Sequence, residues 1–155
     1  TLTRQALPAE NILIVENRQS STGTGLGLPA LDNCIAIVGG GRNLAWMRTP
    51  WLTEKRIGYW GDIDSWGLTI LSEARQYQPQ VQSLMMDVDT LQRFAHYQVT
   101  ESSPSATRPD ALTTGEQQLW DNLHNAGHTR QEQERLPPDH VRRCLEAWLQ
   151  PGPDA

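Results

Sequence analysis

The sequence contains no apolar run of the ~20 residues that a membrane-spanning helix requires. It also has no charged segment followed by an apolar run, so it carries no legible secretory signal. Cysteine is scarce: Cys34 and Cys144 are the only two, and they fit no metal-ligand spacing. Both read as reduced, buried small residues of a cytosolic protein. A basic excess is missing too. The net charge of −5 over 155 residues excludes a basic domain that coats nucleic acid. Any large set of phosphate contacts is therefore expected from other domains or partners. No internal repeat is present. The first residue is Thr1 rather than Met, which predicts a chain that is processed or cut from something longer.

The length suits one domain with a real core. Four short runs are rich in branched or aromatic residues: Asn11–Val15, Cys34–Val38, Arg56–Trp60 and Ser83–Met86. Each is closed by a polar residue or glycine, the pattern of buried parallel strands. Gly67–Tyr77 has apolar residues at helical spacing, and Val88–Tyr97 begins a second helix with Asp87 or Asp89 as its cap. Alternating strands and helices predict an α/β fold with a mostly parallel sheet of four strands and flanking helices. Gln19–Pro29 reads as a loop, and Ser102–Asp110 as a polar, proline-bearing linker. Beyond it the pattern turns helical. Thr113–Ala126 opens with Thr113 and Glu116 at capping-box spacing, and Asp139–Leu149 follows a proline pair. The expected layout is a remnant or linker over 1–10, a core over 11–101, a linker over 102–110, a helical extension over 111–150 and a frayed tail over 151–155.

Three acids stand where such a sheet puts its chemistry. The first strand runs into Glu16, and the third runs into Asp62 and Asp64. Open α/β sheets place their sites at the carboxyl ends of strands. If strands one and three are neighbours, the order is 2-1-3-4, and Glu16 faces the same crevice as Asp62. Asp62 and Asp64 are two apart, so an extended backbone points both carboxylates one way. Crowded carboxylates call for a hard cation, and Mg²⁺, or Mn²⁺ in its place, suits oxygen ligands and shares phosphate oxygens. The plainer alternative is that Asp64, with Ser65, only starts the next helix. Asp87 fits a helix cap better than a supporting ligand. His124 and His128 have i, i+4 spacing but lack a third ligand. Trp60 and Trp66 flank the acidic turn, where they suit core packing or, for Trp66, stacking on DNA. Arg18 and Arg42 follow strands one and two and are candidates for a phosphate contact.

A series of segments carries a family likeness: VEN at Val15–Asn17, IVGGG at Ile37–Gly41, YWGDIDSWGLTIL at Tyr59–Leu71, SLMMD at Ser83–Asp87, LTTGEQQLW at Leu112–Trp120 and EQERLP at Glu132–Pro137. From about Asn11 to Leu149 the sequence resembles the C-terminal domain of the JetD family, the nuclease subunits of Wadjet anti-plasmid systems. That domain is similar to the Toprim domain of the topoisomerase VI A subunit. The resemblance implies a Toprim fold, a catalytic and metal-binding set at Glu16, Asp62 and Asp64, and Glu132 and Glu134 as further candidates for metal binding or support. It implies a Mg²⁺-dependent endonuclease that cleaves double-stranded plasmid DNA as a dimer with an SMC-type motor complex. The family's N-terminal DNA-binding region and the tyrosine-bearing part of topoisomerase VI have no counterpart in this sequence, which favours hydrolysis by a metal-activated water. A topoisomerase-like subunit and a catalytically idle interaction module remain open as alternatives.

Overall fold

The computed structural model describes residues 9–16, 33–39, 41 and 43–150. Its centre is β1 (Asn11–Val15), every residue of which is buried. A strand of alternating periodicity has two faces, and here both are apolar. Ile12 and Ile14 belong to one hydrophobic cluster. Leu13 and Val15 belong to a second. β1 therefore has to lie inside a sheet covered on both sides.

It pairs in parallel with β2 (Cys34–Val38) and with β3 (Arg56–Trp60), Val15 standing opposite Val38 on one side and Trp60 on the other. β3 in turn pairs with β4 (Gln82–Ser83). The order is β2-β1-β3-β4, as the strand pattern predicts. The result is an α/β sheet of the Rossmann-like kind expected of a Toprim-type domain.

The first face is covered by α1 (Ser65–Tyr77) and α3 (Thr114–Asn125), through Leu68, Leu71 and Ala74 of the former and Leu119, Trp120 and Leu123 of the latter. Two 3-10 turns between β2 and β3, Ala45–Arg48 and Pro50–Glu54, add Met47 and Leu52 to the same cluster. The second face is covered by α4 (Pro138–Leu149), which brings Val141, Leu145 and Trp148. Full burial of each such side chain contributes roughly 1.5–3 kcal/mol. Gly58 lets α4 come close: a Cβ there would stand 2.6 Å from Leu84 Cδ1 and 2.9 Å from Trp148 Cζ2.

The helix starts follow local chemistry. Asp64 caps α1 by accepting the Gly67 N–H at 2.6 Å, so the helix begins two residues before the apolar spacing suggests. Asp87 caps the short α2 (Val88–Arg93) through the Thr90 N–H at 2.7 Å. Thr113 and Glu116 form the capping box of α3. Glu116 also pairs with Arg75 of α1 and accepts the Ser83 hydroxyl at 2.6 Å.

Several expectations need correction. The fourth strand ends at Ser83, because Met85 takes a left-handed backbone (φ 56°) and turns Met85 and Met86 into the core. β2 is an edge strand and only partly buried. Cys34 and Cys144 are free thiols, but half-buried rather than buried. The segment 102–110 is not a detached linker. Trp66 Nε1 donates to the Ser103 carbonyl at 2.6 Å, and Ser105 N–H donates to Ser65 Oγ at 2.7 Å, which straps the segment along α1.

The C-terminal third is not purely helical either. β5 (Gln98–Thr100) and β6 (Thr129–Gln131) form a small antiparallel sheet. β6 also bridges to the acidic turn, with Ile63 and Gln131 exchanging two N–H···O bonds of 2.9 Å. The loop 19–29 and the tail 151–155 lie outside the described residues. Among the described residues no helix is long and apolar enough to cross a membrane.

Candidate functional site

Glu16 is the first residue after β1, and its N–H donates to the Trp60 carbonyl at 3.2 Å. That bond carries the β1–β3 ladder one step further and sets Glu16 beside the start of the acidic turn. Its Oε2 accepts the Gly41 N–H at 3.2 Å. Its Oε1 is buried and meets no hydrogen-bond partner. Gly39 leaves room for this carboxylate, since a Cβ there would stand 2.2 Å from Glu16 Oε1. The hydroxyl of Tyr59 is buried nearby, within electrostatic reach of Glu16, Asp62 and Asp64.

The turn after β3 is held from inside. Asp64 N–H donates to the Asp62 carbonyl at 3.1 Å. Gly67 allows that carbonyl to sit against α1, where a Cβ would approach it to 2.1 Å. Asp62 Oδ1 accepts the Gln133 N–H at 2.7 Å. Asp62 Oδ2 takes Arg130 Nη2 at 3.0 Å, and Asp64 Oδ2 stands 3.5 Å from Arg130 Nη1. The two carboxylates share one guanidinium, so both reach the same place. Glu132 Oε1 lies 3.9 Å from Arg130 Nε, and its other oxygen 3.8 Å from Arg135 Nε.

Carboxylates outnumber cations here, and most are shielded from water. Burial raises the pKa of Glu16, with the Asp62 charge adding to it. Burial raises Asp62 despite the Gln133 N–H and the Arg130 charge, and Glu132 pushes it the same way. Asp64 is lifted to about 7, chiefly by burial, then by Asp62 and by Glu101, which lies behind it. Glu134 is raised by burial and by the charges of Asp62 and Glu132. A desolvated group of acids with raised pKa values is an environment that favours a cation.

The donor chemistry suits a hard divalent ion: the groups are carboxylate oxygens, and Glu16 Oε1 is buried without a partner. With Arg130 between them, however, no three or more His, Cys, Asp or Glu side chains among the described residues stand close enough to hold a metal together.

The structure brings Glu16, Asp62, Asp64, Glu132 and Glu134 into one electrostatic group. Asp87 is elsewhere, capping α2 and facing His140 and Cys144. Trp66 is 37% exposed and lines a groove with Glu73, Gln76 and Arg108. Trp60 is fully buried in the core. His124 and His128 pack ring to ring at 4.7 Å. Arg18 and Arg42 lie outside the described residues.

Sequence reasoning missed Arg130 and Gln133, which reach Asp62 across 68 and 71 positions of chain. No local spacing announces them. The one available signal was the EQE motif at Glu132–Glu134, which contains Gln133 and follows Arg130 by two residues.

The family model for the C-terminal part of the Wadjet protein JetD matches residues 1–145. No curated protein matches the sequence. The matched span runs from the first residue into α4 and takes in β1, the acidic turn and β6, so every residue that builds this group lies within it. The chain belongs to the JetD C-terminal family of Wadjet proteins.

Proposed function

We propose that this chain is the DNA-cleaving module of a Wadjet anti-plasmid system and hydrolyses phosphodiester bonds with a divalent metal, Mg²⁺ or Mn²⁺. The observation that carries this reading is the placement of Glu16 and Asp62 at the carboxyl ends of two adjacent parallel strands, with Asp64 two residues on. Glu16 and Asp62 would be the principal ligands. Asp64 would contribute the oxygen that is not engaged in capping α1. A bound metal would supply Lewis acidity toward a phosphate oxygen and lower the pKa of a water.

The chain's own residues do the rest. The Gln133 N–H orients Asp62, Gly39 gives Glu16 its room, and β6 fixes the turn through Ile63. Glu132 and Glu134 add negative charge at the rim. Tyr59 is fully buried, so its hydroxyl is not placed to act as a nucleophile toward DNA. Double-stranded DNA, a second copy of the chain and an SMC-type motor are the partners that fit this role. The sequence carries a net charge of −5, so those partners would supply most of the phosphate contacts.

The test uses supercoiled plasmid with the assembled Wadjet components, in Mg²⁺ or in EDTA. Linear or nicked product in Mg²⁺, none in EDTA and none with Asp62→Asn is the expected result. Cleavage that persists in EDTA would overturn the metal-dependent reading.

A further inference from the structure

The three contacts that Arg130 makes are unequal. Only the bond to Asp62, at 3.0 Å, is a hydrogen bond. The approaches to Asp64 and Glu132 are 3.5 and 3.9 Å, and Arg130 Nε is buried with no hydrogen-bond partner. The guanidinium is thus held in place by the charge of several acids more than by directed bonds. Its side chain is 36% exposed, so it has a route outward.

It also uses the lone pairs that a cation would need. Asp62 Oδ1 is taken by the Gln133 N–H and Asp64 Oδ1 by the Gly67 N–H. The oxygens left over, Oδ2 of each, are the two that face Arg130. A guanidinium and a divalent ion compete for such oxygens and repel each other at short range.

We propose that Arg130 is a resident counter-cation of this site: it occupies the Asp62–Asp64 pair until a divalent metal displaces it, and so sets a threshold for metal loading. This rests on the metal-dependent reading above. It explains why acids so close in charge do not form a ready-made metal group. It also gives the β5–β6 sheet a purpose beyond packing. The sheet delivers the competing charge, with Arg130 paired opposite Val99.

The test is calorimetric titration of the full chain with Mn²⁺ in the absence of DNA, for wild type, Arg130→Gln and Arg130→Lys. Arg130→Gln is expected to bind Mn²⁺ about five- to tenfold more tightly, the size of losing one part-exposed competing charge. Arg130→Lys keeps the charge but loses the fork that spans two carboxylates, so it should fall between the two. Equal affinity in all three would overturn the counter-cation role while leaving the metal site standing. Weaker binding by Arg130→Gln would also overturn it, and would make Arg130 a support of the site. No Mn²⁺ binding by any of them would remove the metal-dependent reading and this proposal together. A thermal melt in EDTA checks that each variant folds. Should Arg130→Gln fail to fold, Arg130→Lys alone decides, with tighter binding than wild type as the supporting result and unchanged or weaker binding as the overturning one.

Discussion

The backbone N–H of Gln133 donates to Oδ1 of Asp62 at 2.7 Å, tying the candidate ligand to a part of the chain 71 residues away. Asp62 is therefore both a proposed ligand and a structural acceptor, and its removal acts on both. Asp62→Ala should abolish plasmid cleavage and also lower stability by about 1–3 kcal/mol, because a partly buried N–H loses its partner. Asp62→Asn keeps an acceptor for Gln133 but loses the charge, so it should abolish cleavage with a melt close to wild type. Plasmid linearisation beside thermal melts in EDTA measures both. Wild-type activity in Asp62→Asn would contradict the assignment.

Gly39→Ala tests Glu16 without touching its carboxylate. The added methyl would stand 2.2 Å from Glu16 Oε1, so the side chain has to move. Cleavage should fall at least about tenfold, since a displacement near 1 Å at a reacting centre can cost more than that. The melt should change little, because the carboxylate can swing toward water. Unchanged activity would mean that the position of Glu16 does not matter to the reaction.

The raised acids make a statement about pH. A carboxyl group whose pKa is higher in the folded state than in the unfolded one contributes stability at low pH and loses it as pH climbs through the folded value. Asp64 rises from 3.8 to about 7, so that loss spans roughly pH 4 to 7. In EDTA the wild type should lose stability relative to Asp64→Asn between pH 5.5 and 8, by roughly 2 kcal/mol or about 5 °C. Asn is an equally good N-cap, so α1 is not weakened by the exchange. Using the difference between the two proteins removes other titrations, including His140, whose pKa is lowered by burial. A parallel pair of pH profiles would show that Asp64 is not perturbed. Saturating Mg²⁺ should shrink the difference by stabilising the wild type at high pH.

Glu116 behaves in the opposite sense. Burial works against its charge, but Arg75, Ser83 and the Thr113 N–H hold its pKa below the usual value. Its contribution is present above the unfolded pKa and disappears as pH falls through the folded one. Glu116→Ala removes a buried ion pair and a capping box at once, and should cost about 3–5 kcal/mol without bearing on metal affinity. Glu116→Gln keeps the acceptor oxygen and should cost about half as much. Chemical denaturation of the three proteins at pH 7 gives the numbers. A loss under 1 kcal/mol for Glu116→Ala would show that Arg75 finds another partner.

What the sequence revealed and what it hid divide along one line. β1, β2 and β3 were legible because each is a short apolar run with a polar stop, and a buried parallel strand needs little else. The caps at Asp87 and Thr113 were legible because capping acts over three residues. Asp64 bears out the plainer reading, capping α1 with one oxygen, while its other oxygen faces Arg130. β5 and β6 were hidden: QVT and TRQ are three residues each, mostly polar, and exist as strands only because they find one another and the turn at Ile63. Their pairing is tertiary, so no window of sequence contains it. Arg130 went unseen for the same reason.

The bridge between Ile63 and Gln131 has a consequence for biogenesis. Synthesis proceeds from the N-terminus, and all four strands of the parallel sheet precede residue 84. A nascent chain can thus assemble the sheet and display Glu16, Asp62 and Asp64 while residues 129–133 are still inside the ribosome. In that interval the turn lacks the Ile63 bridge, Asp62 lacks the Gln133 N–H, and the acids lack Arg130. A nascent chain at that stage has its acids but not the frame that aims them. The acidic group acquires its full set of partners only when β6 and the turn after it have been added.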